Sequence, residues 1–134
     1  MLLPIPDVLT PAQLTELRAR LDAADWADGR ITAGHQSAQA KDNAQLPEDS
    51  AIARDAGALV LEALARSSTF FSAVLPRRIY PPLFNRYSGG QSFGYHVDNA
   101  IRYDRSRGGA DAIRTDISAP YFSASRTATT AASW

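Results

Sequence analysis

Two adjacent prolines, Pro81 and Pro82, constrain this chain most, because they stand where a helical pattern gives out. Proline inside a helix removes a backbone donor and clashes with the preceding turn, so "RRIYPPLFNRY" must run extended. Two helices are expected before it. Thr10, Pro11 and Gln13 supply a hydroxyl N-cap, a proline at the first helical position and a capping-box glutamine. Leu14, Leu17, Leu21 and Ala24 then share a face, and Gly29 in "ADGR" is the expected stop. Ile52, Ala56, Leu59, Val60, Ala63 and Leu64 line one side of a second helix, from about Asp49 to Ser67. "GRITAGHQSAQAKDN" between them reads as a modest strand and a polar turn. "STFFSAVL", ended by Pro76, offers Phe70, Phe71, Val74 and Leu75 to the core. Beyond the prolines, "SGGQ" is a turn into an extended "SFGYHVD", and "RYDRSRGGAD" is a charged loop. "IRTDIS" then puts Ile113, Thr115 and Ile117 on one face of a strand. Helices first and strands afterwards predict an α+β fold.

At 134 residues the chain has the size of one domain. Fourteen basic and fourteen acidic side chains cancel, so no overall field draws it to nucleic acid or to an anionic membrane. The absence of cysteine removes disulfides, thiolate ligands and thiol nucleophiles together, and agrees with a reducing setting. No stretch reaches the roughly 20 apolar residues of a membrane span, and "MLLPIPDVLTPAQ" is no export leader. The expectation is a soluble, cytoplasmic protein.

Histidine and carboxylate are the metal-binding chemistry left, and they meet in "HVD". On a strand, side chains two apart project to the same face, so His96 and Asp98 can converge on one ion. Imidazole with carboxylate suits Fe(II), and a third facial ligand leaves positions open for a co-substrate and O₂. A lone H-x-D is also what a hydrogen-bonded surface pair looks like.

The surrounding residues separate these readings. Tyr87, Gly90, Phe93, His96 and Asp98 follow the order of tyrosine, glycine, aromatic and H-x-D in the iron and 2-oxoglutarate dioxygenases of the prolyl-hydroxylase type. Over residues 1 to about 120 the chain more closely resembles the bacterial PKHD-type hydroxylases, including their iron-uptake-associated member. "IPDVLTPAQL", "WADGRITAGHQSAQAKDNAQLP", "PLFNRYSGGQSFGYHVDNAIR" and "RTDIS" carry the resemblance in order. It implies a double-stranded β-helix (jelly-roll) core backed by helices. It also implies hydroxylation coupled to oxidative decarboxylation of 2-oxoglutarate, with Fe(II) as metal and L-ascorbate as reductant. His96 and Asp98 would be two of three iron ligands. Tyr87 would line the 2-oxoglutarate pocket, or else pack as a barrel aromatic. Asn85 is a further pocket candidate, Arg86 fits a structural ion pair better, and Arg114 suits either strand support or the substrate entrance.

The resemblance also implies a second histidine and a basic residue for the far carboxylate of 2-oxoglutarate, from strands well beyond H-x-D. No histidine follows His96; His35, the other histidine, lies where the family has no ligand, and Arg126 is the basic residue of the final stretch. "SASRTATTAASW" is rich in Ala, Ser and Thr, so residues 1–122 are expected to be the dioxygenase part and 123–134 an unrelated, unfolded tail. Reading Ala124 to Trp134 from the third base of GC-rich codons allows E-P-D-G-Y-D-G-G-E-L, like the family's own continuation. A frameshift near Phe122 is therefore expected, and with it an incomplete barrel with open edges, poor stability and no activity alone. A catalytically silent module that recruits a partner through its sheet edge is the alternative; an H-x-D hydrolase with another metal lacks its further ligands.

Overall fold

The computed structural model describes residues 2–32, 41–95, 98–104 and 111–121. Helix α1 spans Pro11–Asp22 and starts as its sequence dictates. The Thr10 hydroxyl accepts from the Gln13 N–H at 3.2 Å, and the Gln13 side-chain oxygen accepts from the Thr10 N–H at 3.0 Å. Two of the orphan donors of a helix start are thereby satisfied. Helix α2, Ala51–Arg66, is capped by Ser50, and the seven-residue α3, Ser68–Val74, by Ser67. Helices α1 and α2 share one apolar cluster: Leu17, Leu21, Leu46, Ala53 and Ala56 are buried, with Trp26, Ile52, Leu59, Val60 and Phe84 packed against them. The alanines let α1 and α2 approach closely, while Leu17 at 1% exposure fills the contact.

Among the described residues five short strands make two antiparallel sheets. In the first, β1 (Ala27–Asp28), β2 (Ala44–Gln45) and β3 (Asn85–Arg86) pair in that order, with Ala27 opposite Gln45 and Gln45 opposite Asn85. Its ladder continues irregularly: Asp42 donates its N–H to the Ser92 carbonyl at 2.9 Å, and Lys41 bridges Phe93. The second sheet is a hairpin of β4 (Ile101–Asp104) and β5 (Asp111–Arg114), with Arg102 opposite Ile113. Arg78 pins it, lying 3.9 Å from Asp104 and 3.7 Å from Asp111. Ile113 is buried, whereas Ile101 and Tyr103 are more than half exposed. The fold is thus α+β, a helical layer on one face of a small antiparallel sheet.

Several expectations are corrected. Helix α1 stops at Asp22, before Gly29, because the chain must turn back for the Trp26 indole to donate to the Leu21 carbonyl at 3.0 Å. Gly29 instead opens a 3₁₀ helix, Gly29–Thr32, at the start of the stretch expected to be a modest strand and polar turn; residues 33–40 of that stretch lie outside the described residues. "STFFSAV" is helical, and only Phe70 of its expected core residues is buried; Phe71 and Leu75 are 60% and 71% exposed, and Leu75 takes a left-handed φ of 46°. Among the described residues of "SFGYHVD" Phe93 forms a bridge and Tyr95 beyond it is fully exposed, while His96 and residue 97 lie outside the described residues. The charged loop is shorter than expected because Arg102, Tyr103 and Asp104 belong to β4. Ile117 is exposed rather than packed with Ile113.

Candidate functional site

The first sheet has two chemically different faces. Leu46 and Phe84 join the helical core on one side, where the Arg86 guanidinium also stacks 4.7 Å from the centre of a Trp26 ring. Arg86 is therefore a packing residue of the helical side. The opposite face is polar. Lys41 donates to the Gln45 side-chain oxygen at 2.6 Å and lies 5.6 Å from the Phe93 ring centre; Asn43 donates to the Asn85 side-chain oxygen at 3.0 Å. Lys41, Asn43 and Gln45 alternate along one strand, as side chains of one face must, and their exposures are only 9%, 4% and 1%.

Burying three polar side chains in a row is costly unless they hydrogen-bond. Here they bond to one another and to the neighbouring strand. Gly29 is what lets Asn43 sit there: a Cβ at position 29 would fall 1.8 Å from the Asn43 Oδ1. Among the described residues that oxygen accepts no hydrogen bond. Burial and the nearby positive charge of Arg102 push the Lys41 ammonium below its ordinary pKa.

Tyr87 follows β3 and is 45% exposed beside this face. Burial of its inner part pushes the phenol above its ordinary pKa, and a hydrogen bond with the Asn43 side chain acts the other way. Tyr87 and Asn85 thus meet Asn43 on the polar face, as pocket-lining residues would. The turn that follows, Ser88 to Gln91, uses Gly89 and Gly90 at φ of 60° and 87°, which favour glycine. Gln91 ties the turn back by donating to Asp42 at 3.2 Å.

Asp98 is exposed in the segment leading into β4. His96, His35, Arg126 and the 123–134 tail lie outside the described residues. Arg114 is an exposed strand residue whose side chain pairs with Asp116 at 2.8 Å. Among the described residues no three His, Cys, Asp or Glu side chains gather where they would hold a metal ion, so Asp98 belongs to no complete ligand set there. Two surface clefts, of about 380 and 240 Å³, lie along the helices, at Gln13, Arg20 and Asp55 and at Asp7, Ala63 and Arg66. No described helix is long and apolar enough to cross a membrane. The buried polar residues escaped sequence reasoning, though their period-two spacing in "KDNAQ" was a signal for them.

Fold and face together define an α+β domain whose helix-backed sheet carries a polar, aromatic-rimmed side opposite the helices. No protein-family model matches the chain. Comparison with known proteins finds a PKHD-type hydroxylase of Xanthomonas euvesicatoria pv. vesicatoria that is 90% identical over 122 residues, covering 91% of this chain and 54% of that protein. A PKHD-type hydroxylase of Xanthomonas axonopodis pv. citri is 89% identical over the same share, and one of Bordetella pertussis is 56% identical over 91% of this chain and 53% of its own length. Over 91% of its length the chain is similar to PKHD-type hydroxylases, and it spans about half the length of these relatives.

Proposed function

We propose that residues 1–122 are the N-terminal part of an Fe(II)- and 2-oxoglutarate-dependent dioxygenase, and that 123–134 are a tail unrelated to it. The observation that carries this reading is the H-x-D motif, in a chain 90% identical over 122 residues to a protein named as a hydroxylase. His96 and Asp98 hold the metal as two of three protein ligands, a donor set of imidazole and carboxylate that suits Fe(II). Tyr87 donates its phenolic proton to a carboxylate of 2-oxoglutarate, and its place beside Asn43 and Asn85 supports that role. When bound, iron supplies the oxidative chemistry that couples 2-oxoglutarate decarboxylation to hydroxylation, with O₂ as co-substrate and L-ascorbate as reductant.

The third ligand and the basic residue for the far carboxylate belong to the half of the relatives that the match does not span. The short sheets are then parts of a double-stranded β-helix, and the exposed Ile101 and Tyr103 face strands still to be added. A protein built this way works in the cytoplasm with a small-molecule co-substrate and O₂, without nucleic acid or membrane. With two protein ligands the chain holds metal weakly and is inactive by itself.

Mn(II), as a redox-silent substitute for Fe(II), provides the test. Titration followed by water-proton relaxation is expected to show weak binding, abolished in both His96→Ala and Asp98→Asn. Binding that survives both substitutions unchanged would overturn the ligand assignment. A second reading, a catalytically silent module that binds a partner, draws on the exposed outer face of β4 and β5. Metal indifference together with a stable complex on that face would favour it.

A further inference from the structure

Lysine occurs once in this chain. Of its fourteen basic side chains thirteen are arginines, and the exception, Lys41, is among the buried polar residues of the β1–β2–β3 sheet. Arginine needs room for a planar fork, whereas an ammonium is a compact charge that one acceptor can aim. The Gln45 side-chain oxygen, at 2.6 Å, aims it here, and the Phe93 ring covers its flank. Phe93, which bridges Lys41, is three residues before His96 in the chain. Asn43, two residues along, reaches Asn85, and both Asn85 and Tyr87 are exposed on the same face. A buried cation, an amide pair and a phenol on one surface are complementary to a carboxylate, which takes charge-assisted hydrogen bonds from each of these donors.

We propose that Lys41 is the cation of a carboxylate-binding site on the polar face of the first sheet, holding a small organic acid beside Asn85 and Tyr87. The inference deepens the dioxygenase reading and rests on it for the ligand's source. That source is either the 2-oxo acid co-substrate or the carboxylate of the molecule to be hydroxylated. The field is consistent with it: burial and Arg102 disfavour the ammonium, Glu48 and Asp28 act the other way, and an arriving anion would add to their effect.

A chain with a single lysine lends itself to a direct test. Lysine labelled with ¹³C at Cε gives one reporter signal, followed in the metal-free chain during titrations with 2-oxoglutarate, with N-acetylglycine and with sodium chloride at matched ionic strength. A saturable shift is expected with at least one carboxylate and none with chloride. Tighter saturation by 2-oxoglutarate assigns the site to the co-substrate, and tighter saturation by N-acetylglycine to the substrate. In Lys41→Met, calorimetry is expected to show the same binding weakened about tenfold or more, the scale of losing one charge-assisted hydrogen bond, while far-UV circular dichroism stays unchanged. Shifts that are linear and equal for all three salts would overturn the proposal. If that result came with Mn(II) binding that depends on His96, the Lys41 assignment alone would fall and the dioxygenase reading would stand.

Discussion

Replacing Gly29 by alanine tests how the polar face is built. The added methyl would lie 1.8 Å from the Asn43 Oδ1, 2.8 Å from its Cγ and 3.1 Å from its carbonyl oxygen. The side chain must therefore withdraw by more than an ångström from a place where it is 4% exposed, and its 3.0 Å bond to Asn85 goes with it. Overpacking of this kind costs about 1–3 kcal/mol and a hydrogen bond about 1 kcal/mol, so Gly29→Ala is expected to destabilise the domain by about 2–4 kcal/mol. Urea denaturation followed by tryptophan fluorescence measures it. The control is a double-mutant cycle: in an Asn43→Ala background the two closest atoms are gone, only the 3.1 Å backbone contact remains, and the same substitution should cost less than about 1 kcal/mol. Among the described glycines the positive φ values belong to Gly89 and Gly90, so Gly29 is required by space rather than by its backbone angle. An equal cost in both backgrounds would refute this.

Leu17→Ala, at the most buried leucine between α1 and α2, is expected to cost about 2–5 kcal/mol in the same denaturation assay; a loss under about 1 kcal/mol would mean the helices do not close on it. Thr10→Ala removes one half of the capping box and should cost about 1 kcal/mol, read from a thermal melt by circular dichroism. The Arg30 side chain holds the Asp28 carboxyl at about 2, against its ordinary 3.8. Because the folded value is the lower one, this contact's contribution is complete above the unfolded pKa and disappears as pH falls through about 2. Carboxyl ¹³C titration of Asp28 should find its midpoint there, and a midpoint at 3.8 would contradict the pairing.

What was legible in the sequence is what closes over three or four residues. The Thr10–Gln13 box and the Ser88–Gln91 turn stand where their residues predict, since each bond is local. The second helix runs Ala51–Arg66, within two residues of its expected start and one of its end, since serine caps and apolar period are both written into the segment. Phe71 and Leu75 failed because hydrophobicity names candidates for burial without naming what covers them, and the short α3 turns only one edge inward. Ahead of His96, which lies outside the described residues, the extended segment pairs where a partner's backbone lies alongside, and Lys41 offers that to Phe93.

By itself the sequence determined the α+β order of elements, the helix starts and the ordered segments, H-x-D among them, by which the chain resembles PKHD-type hydroxylases; these are properties of neighbouring residues and of residue identity. Tertiary structure decided which side of "KDNAQ" is buried, why position 29 must be glycine, and that Arg86 turns to the helices while Asn85 and Tyr87 turn away. The reason is physical. A strand offers both faces equally to solvent until another layer packs on one of them, and only the arrival of α1 and α2 against Leu46 and Phe84 left the lysine side as the polar face.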